Sequence, residues 1–204
     1  MQSSSALQID KDDHLNARIA SRVRELRLDQ GITLEALAAK SDVSRSMLSL
    51  IERGETSPTA ALLDRVATGL NVSLATLFED PSTPQSPVSR RDEHESWRDP
   101  ESGYVRRNIS PASFSSPIQI VDVRLPAGTR IAYDNGPRDV RIHEQIWVLQ
   151  GSIEVTVGDV KHLLEPDDCL AVEAEAPTVF RNRTRREARY VVALSTERRP
   201  TPRN

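Results

Sequence analysis

The sequence predicts an α+β protein of two domains, an all-α bundle of five short helices followed by an all-β barrel. Three observations carry that division. Of the 13 prolines, only Pro58 falls within the first 80 residues. Apolar residues of the first part recur with helical period, whereas those of the second alternate in short runs broken by Pro, Gly, Asn and Asp. Between the two parts lies DPSTPQSPVSRRDEHES, residues 80–96, which is polar, proline-rich and aperiodic, as expected of a semi-stiff linker. The expected boundaries are a disordered arm at 1–13, the helical domain at 14–79, the linker at 80–96, the barrel at 97–197 and a tail at 198–204.

A chain of 204 residues suffices for one large or two small domains. Its net charge of −3 excludes uniform attraction to nucleic acid, so any DNA contact must come from a local patch. A single cysteine, Cys169, excludes an internal disulfide framework and fits a reducing cytoplasm. No apolar run approaches the roughly 20 residues of a spanning helix, so no membrane role is expected. The opening MQSSSALQIDKDDHL has neither a basic leader nor a long apolar stretch, unlike a secretory signal. No internal repeat or heptad pattern is present.

In the first part, Ile19, Val23 and Leu26 form the buried stripe of a helix over Asn16–Gln30, and Gly31 suits a left-handed cap. Thr33 is placed to cap a second helix, TLEALAAKS, with Leu37 and Ala38 facing inward. After the turn SDV, Ser44 caps a third helix, SRSMLSLIERG, ended by Gly54. Ser57-Pro58 reads as an N-cap followed by proline in the first helical position. The fourth helix carries Leu62, Leu63, Val66 and Ala67. Asn71 takes the following turn, and Ser73 caps a fifth helix that ends at Leu77-Phe78.

A tight turn between the second and third of five helices describes a helix-turn-helix bundle. At 100° per residue, Leu48 and Ile51 share the core face of the third helix, with Met47 beside them. Arg45, Ser46, Ser49 and Arg53 fall opposite, with Leu50 at the edge. That face is either an ordinary solvated surface or a reading surface for the major groove. There an arginine pairs with guanine, hydroxyls serve several bases and an aliphatic tip meets a thymine methyl. The stretch IASRVRELRLDQGITLEALAAKSDVSRSMLSLIERGETSPTAALLDRVATGLNVSLATLF resembles the Cro/repressor-type (XRE) helix-turn-helix family throughout. The resemblance implies that Thr33 and Leu34 approach the DNA backbone and that Arg45, Ser46, Ser49 and Leu50 approach base edges. It also implies a structural bridge between Arg27 and Glu52. Leu34 departs from the family, which often has glutamine there. From His14 to Asp80, eight basic residues stand against nine acidic ones. Binding is therefore expected to rest on a stripe of Arg18, Arg22, Arg45 and Arg53, with Lys40, and on a homodimer spanning two half-sites of duplex operator.

The second part supplies the strands IQIVDVRLP, TRIAYD, EQIWVLQ, SIEVTVG, VKHLLE, DCLAVEA, TVFRNR and ARYVVALS, as in a jelly-roll barrel. EQIWVLQGSIEVTVGD and EPDDCLAVEAEAPTVFRN resemble the two conserved segments of the cupin family. Metal-binding cupins place two histidines and a glutamate in the first segment and a third histidine in the second. Counting from Gly151 puts Glu144 at the glutamate, while the histidine positions fall on Pro137–Val140 and Thr178. Every imidazole is missing, so no metal or other cofactor is expected. His143 points away from Glu144 on its strand. A replacement site built from His143, His162 and Cys169 lacks ligand-like spacing, and the plainer reading is a surface histidine and a packed cysteine.

A metal-free barrel still offers a pocket, with Tyr133, Arg141, Glu144, Thr178 and Tyr190 as its candidate lining. Buried Glu144 needs a cationic or hydrogen-bonding partner, which is either an amine-bearing ligand or Arg138 or Arg141 of the chain itself. RNRTRREARY, residues 181–190, reads as a solvated hairpin end that can also brush DNA phosphates. Together these features predict a sequence-specific DNA-binding regulator whose cupin domain dimerises and senses a small molecule. The rivals are a metal-dependent enzyme carried on a DNA-targeting module and a purely dimerising scaffold. Coupling between the halves requires them to dock.

Overall fold

The computed structural model describes residues 3–80, 86–94, 96–114 and 116–198, with side chains described from His14 to Glu197. Residues 1–2 of the expected arm, 81–85 and 95 of the linker and 199–204 of the tail lie outside the described residues. The helical domain has four α-helices, α1 (Ser3–Asp29), α2 (Leu34–Ser41), α3 (Arg45–Glu52) and α4 (Ala60–Gly69), then a 3-10 helix at Leu74–Phe78. Two expectations are corrected here. The fifth helix is not an α-helix: it has only five residues, and Ser73 accepts a hydrogen bond from Thr76 N at its start. The arm is helical from Ser3 onward, so the backbone of residues 3–13 continues α1.

Side-chain oxygens stop the orphan amides at the starts of α2, α3 and α4. Thr33 accepts from Ala36 N at 3.1 Å, and Ser44 from Met47 N at 3.2 Å. The start of α4 differs from expectation. Thr59 rather than Ser57 is its N-cap, Pro58 lies outside the helix, and Ala60 N donates to Asp99 of the β domain at 2.6 Å. Ile19, Val23, Leu37, Leu48, Ile51, Leu63, Val66 and Leu77 fill the core of the bundle. Helices α2 and α4 cross at Gly69, where an added Cβ would meet the Ser41 Cβ at 2.8 Å.

The β domain is a sandwich of two open antiparallel sheets, not the closed barrel expected. One sheet has the order β1-β2-β3-β10-β5-β8, and the other β4-β9-β6-β7. Their strands are β1 (Ser96–Arg98), β2 (Val105–Asn108), β3 (Ile118–Leu125), β4 (Arg130–Tyr133), β5 (Val140–Gln150), β6 (Ile153–Val157), β7 (Val160–Leu164), β8 (Cys169–Glu173), β9 (Thr178–Arg181) and β10 (Ala188–Arg198). The long strands β5 and β10 pair with each other, and the ladders join strands within each sheet, so the edges stay open. Strands β1 and β2 were not foreseen, and β1 begins inside the stretch read as linker. Tyr190, Val192 and Leu194 of β10 meet Val155 and Phe180 of the facing sheet in the core, as a period of two dictates.

The two domains are docked. Phe78 closes the helical domain with its ring edge-on to Trp97 of β1, at 5.9 Å between centroids. Arg138, just before β5, donates from Nη2 to Asp64 Oδ1 of α4 at 2.9 Å and to Thr68 Oγ1 at 2.6 Å. Asn71 accepts from Asp139 N at 2.6 Å. Glu79 joins Arg22 at 3.2 Å and also accepts from Gln119 of β3.

Candidate functional site

Helix α3 is held from behind and exposed in front. Leu48 and Ile51 are buried in the bundle, whereas Arg45, Ser46 and Arg53 are exposed and Ser49 and Leu50 half-buried. Thr33 is exposed and Leu34 half-buried at the start of α2, beside the same face. Behind α3, Arg27 donates to both carboxylate oxygens of Glu52, from Nε at 2.6 Å and from Nη2 at 2.8 Å, and from Nη1 to Ile32 O at 3.0 Å. This fork ties the C-terminal end of α3 to α1, and Glu52 holds the Arg27 guanidinium charged beyond its ordinary value.

The exposed arginines carry light partners. Arg45 pairs with Glu35, and Arg53 donates to Glu55 at 2.7 Å and to Ser49 Oγ at 2.5 Å. Glu35 is held below the usual carboxylate range by its own backbone amide and then by Arg45, and Glu55 by the hydrogen bond from Arg53. Both guanidinia pair with solvent-exposed carboxylates, whose pull water and salt screen. Lys40 is exposed as well. The expected basic stripe loses two members. Arg22 binds Glu79 at 3.2 Å, and Arg18 donates to Phe78 O at 3.3 Å and faces Asp80 at 3.6 Å. Both are engaged by the C-terminal end of the helical domain, Thr76 to Asp80.

A second site lies where the domains meet. It is a cavity of about 40 Å³ walled by Asp64, Ser73, Leu74 and Ala75 of the helical domain and by both sheets of the sandwich. Tyr133, Glu144, Thr178 and Tyr190 line it, as do Tyr104, Arg106, Asn135 and Arg138. Arg141 does not. It is exposed on β5, 3.7 Å from Glu173, because it is one residue out of phase with the inward Ile142 and Glu144. Thr178 is already satisfied, accepting from Asn135 Nδ2 at 3.0 Å and donating to Ala176 O at 3.0 Å. Burial pushes the Glu144 carboxyl up, against the opposing charges of Arg106 and Arg138. Burial likewise drives the phenols of Tyr133 and Tyr190 well above their ordinary range, so both remain protonated.

Residues 23–77 match the helix-turn-helix family HTH_3, and residues 123–194 match the cupin domain family Cupin_2. The HTH-type transcriptional regulator SutR of Escherichia coli (strain K12) is 27% identical over 171 residues, spanning 83% of this chain and 90% of that protein. The crystal structure of an HTH_3 family transcriptional regulator from Vibrio cholerae superposes with a TM-score of 0.73 at 26% identity, covering 92% of this chain and 99% of that one. The chain is a helix-turn-helix transcriptional regulator with a cupin domain. HTH-type transcriptional regulator PuuR of Escherichia coli (strain K12) is also similar, at 23% identity over 162 residues, 79% of this chain and 85% of that protein.

The regulator's cavity does not fit the divalent metal of other cupins. Its wall offers Glu144 and Asp64 but two guanidinia beside them, and its lining contains no histidine. His143 turns outward between Glu173 and Glu197, at 3.8 Å from each. Cys169 is exposed on the outer face of the six-stranded sheet rather than packed, and His162 sits on the other sheet. In the segment 181–190, Asn182 is buried and donates to Leu125 O at 2.9 Å, while Arg183 faces Glu154 at 3.1 Å. Sequence reasoning missed Arg106, Tyr104, Asn135 and Asp64 as cavity residues. The alternation of Tyr104, just before β2, with Arg106 within it is a readable signal, but it marks a strand that the sequence reading does not include. No helix of the described residues is long and apolar enough to cross a membrane.

Proposed function

We propose that this regulator binds a two-fold symmetric operator as a homodimer in the cytoplasm, and that its cupin domain senses a small molecule rather than catalysing a reaction. Thr33 and Leu34 approach the backbone, Arg45, Ser46, Ser49 and Leu50 read base edges, and Arg53 reaches a phosphate at the end of the helix. The observation that carries the sensing role is the shared cavity. One void is lined at once by Asp64 and the Ser73–Ala75 segment of the DNA-reading domain and by the sandwich core. A ligand held there contacts both domains, so its affinity differs between docked arrangements. Operator affinity then shifts by that difference and no more.

The outer face of the six-stranded sheet supports dimerisation. Its registers align Val191, Trp147 and Cys169 in one row and Ile120, Ala193, Gln145 and Ala171 in the next. Ile118, Ile120 and Trp147 are exposed there, an apolar surface that a second copy can cover isologously. Genomic footprinting with the full chain tests the reading. Protection of paired half-sites separated by about one helical turn is expected. Protection of single half-sites by a monomer contradicts the dimer, and absence of any protected sequence contradicts the reading role of α3.

A further inference from the structure

Arg106 is nine-tenths buried at the cavity wall, yet among the described residues its Nε and Nη2 have no hydrogen-bond partner. Those two nitrogens form one edge of the guanidinium fork. The same edge grips a single carboxylate at several other arginines of this chain. Arg27 uses it for Glu52 at 2.6 and 2.8 Å, and Arg53 for Glu55 at 2.7 and 2.8 Å. Arg189 applies it to Asp122 at 2.8 and 3.5 Å. A buried donor without a partner is costly, more so when charged, so an open charged edge calls for an acceptor. Phe78 holds the guanidinium in place, its ring centroid 5.4 Å from the central carbon. Asp64 is bound through Oδ1 to Arg138 at 2.9 Å, and its Oδ2, like the open edge of Arg106, has no partner among the described residues. Beyond the polar groups the cavity is walled by Ile142, Phe180, Val192 and Leu194, which suit a short hydrocarbon portion.

We propose that the cavity is a receptor for a short-chain carboxylic acid, its carboxylate seated on the Nε–Nη2 edge of Arg106 and its hydrocarbon against Phe180 and Val192. This deepens the sensing role above and rests on it. An amine, the ligand that Glu144 alone had suggested, brings only donors and leaves the open donor edge of Arg106 unpaired. The planar fork selects a carboxylate over a lone point charge.

The test uses the full chain and sodium propionate, at constant ionic strength, with propylammonium and methanesulfonate as controls. Thermal shift and the side-chain Nε–H resonance of Arg106 are the readouts. Propionate should raise the melting temperature and move that resonance. Arg106→Lys, which keeps the charge but loses the fork, and Arg106→Gln should each weaken binding on the order of tenfold or more. Equal affinity in Arg106→Gln, an unmoved resonance in the wild-type protein, or tighter binding of propylammonium or methanesulfonate overturns the proposal. The resonance is read on wild-type protein, so the result stands even where a variant folds poorly. Propionate that binds through Arg106 but leaves DNA affinity unchanged supports the carboxylate site and overturns the sensing role instead.

Discussion

The carboxylate of Asp99, at the end of β1, accepts a hydrogen bond from Ala60 N, the first residue of α4, at 2.6 Å. Its other oxygen accepts from the amides of Glu101 and Ser102, at 3.0 and 2.8 Å, so the group is fixed before α4 meets it. One domain thus completes a helix of the other. Asp99→Ala should cost about 0.5–2 kcal/mol, the usual worth of a cap, and should speed amide exchange at Ala60. Unchanged exchange at Ala60 would show that the domains separate readily in solution.

The Arg27 fork predicts a larger loss. The Glu52 side chain is 6% exposed, so Arg27→Ala leaves a buried carboxylate unpaired and should cost about 3–5 kcal/mol in chemical denaturation. The preferred DNA sequence should not change, because Arg27 lies behind α3. An altered operator consensus would place Arg27 at the DNA.

What could be read from the sequence depended on how local the cause was. The caps at Thr33 and Ser44 and the inward phase of Leu48 and Ile51 follow from periods and turns within a few residues, and the place of Glu144 from the cupin resemblance counted from Gly151. The failures are long-range. Ser57-Pro58 looked like a helix start because nothing local shows that Asp99 supplies an acceptor from 39 residues away. Arg18 and Arg22 looked like DNA contacts because their charge is visible and Phe78 O and Glu79 are not visibly adjacent. Arg106 was overlooked for a related reason. Its value lies in the space around it, which only the docking of two domains creates.

Arg45 is exposed on the outer face of α3 with Glu35 as its light partner. Arg45→Ala should cost about 1–3 kcal/mol of specific binding while leaving non-specific binding almost intact. Titrations of cognate and scrambled duplexes at one salt concentration decide it. Equal losses on both would make Arg45 a phosphate contact.

Glu144 gives a pH dependence with a defined sign. Burial raises its carboxyl above the ordinary value of 4.5, so the folded chain binds this proton more readily than the unfolded chain. Such a group contributes stability below the ordinary value and loses it as pH rises through the raised one. Asp64 and Glu79 are raised by burial too and act in the same direction. Glu144→Gln keeps the shape without the charge. It should raise the melting temperature at pH 7 and flatten the fall in stability with rising pH. A lower melting temperature at pH 7 would mean that Arg106 and Arg138 hold Glu144 ionised.

Trp147 tests the assembly. It stands outward on β5, in register with Val191 on one side and Cys169 on the other, and is 46% exposed. Its neighbours on the strand, Ile146 and Val148, are buried, so the outward apolar ring does not serve the core of its own domain. Trp147→Glu places a charge in the middle of that face and leaves the sandwich core and the cavity untouched. Sedimentation should show a monomer with a near-normal melting transition. Operator affinity should fall on the order of a hundredfold as two linked half-site contacts become one, whereas binding to an isolated half-site should not change. If the variant still sediments as a dimer, the dyad lies elsewhere. If it is monomeric and keeps full operator affinity, α3 binds DNA without needing a second copy.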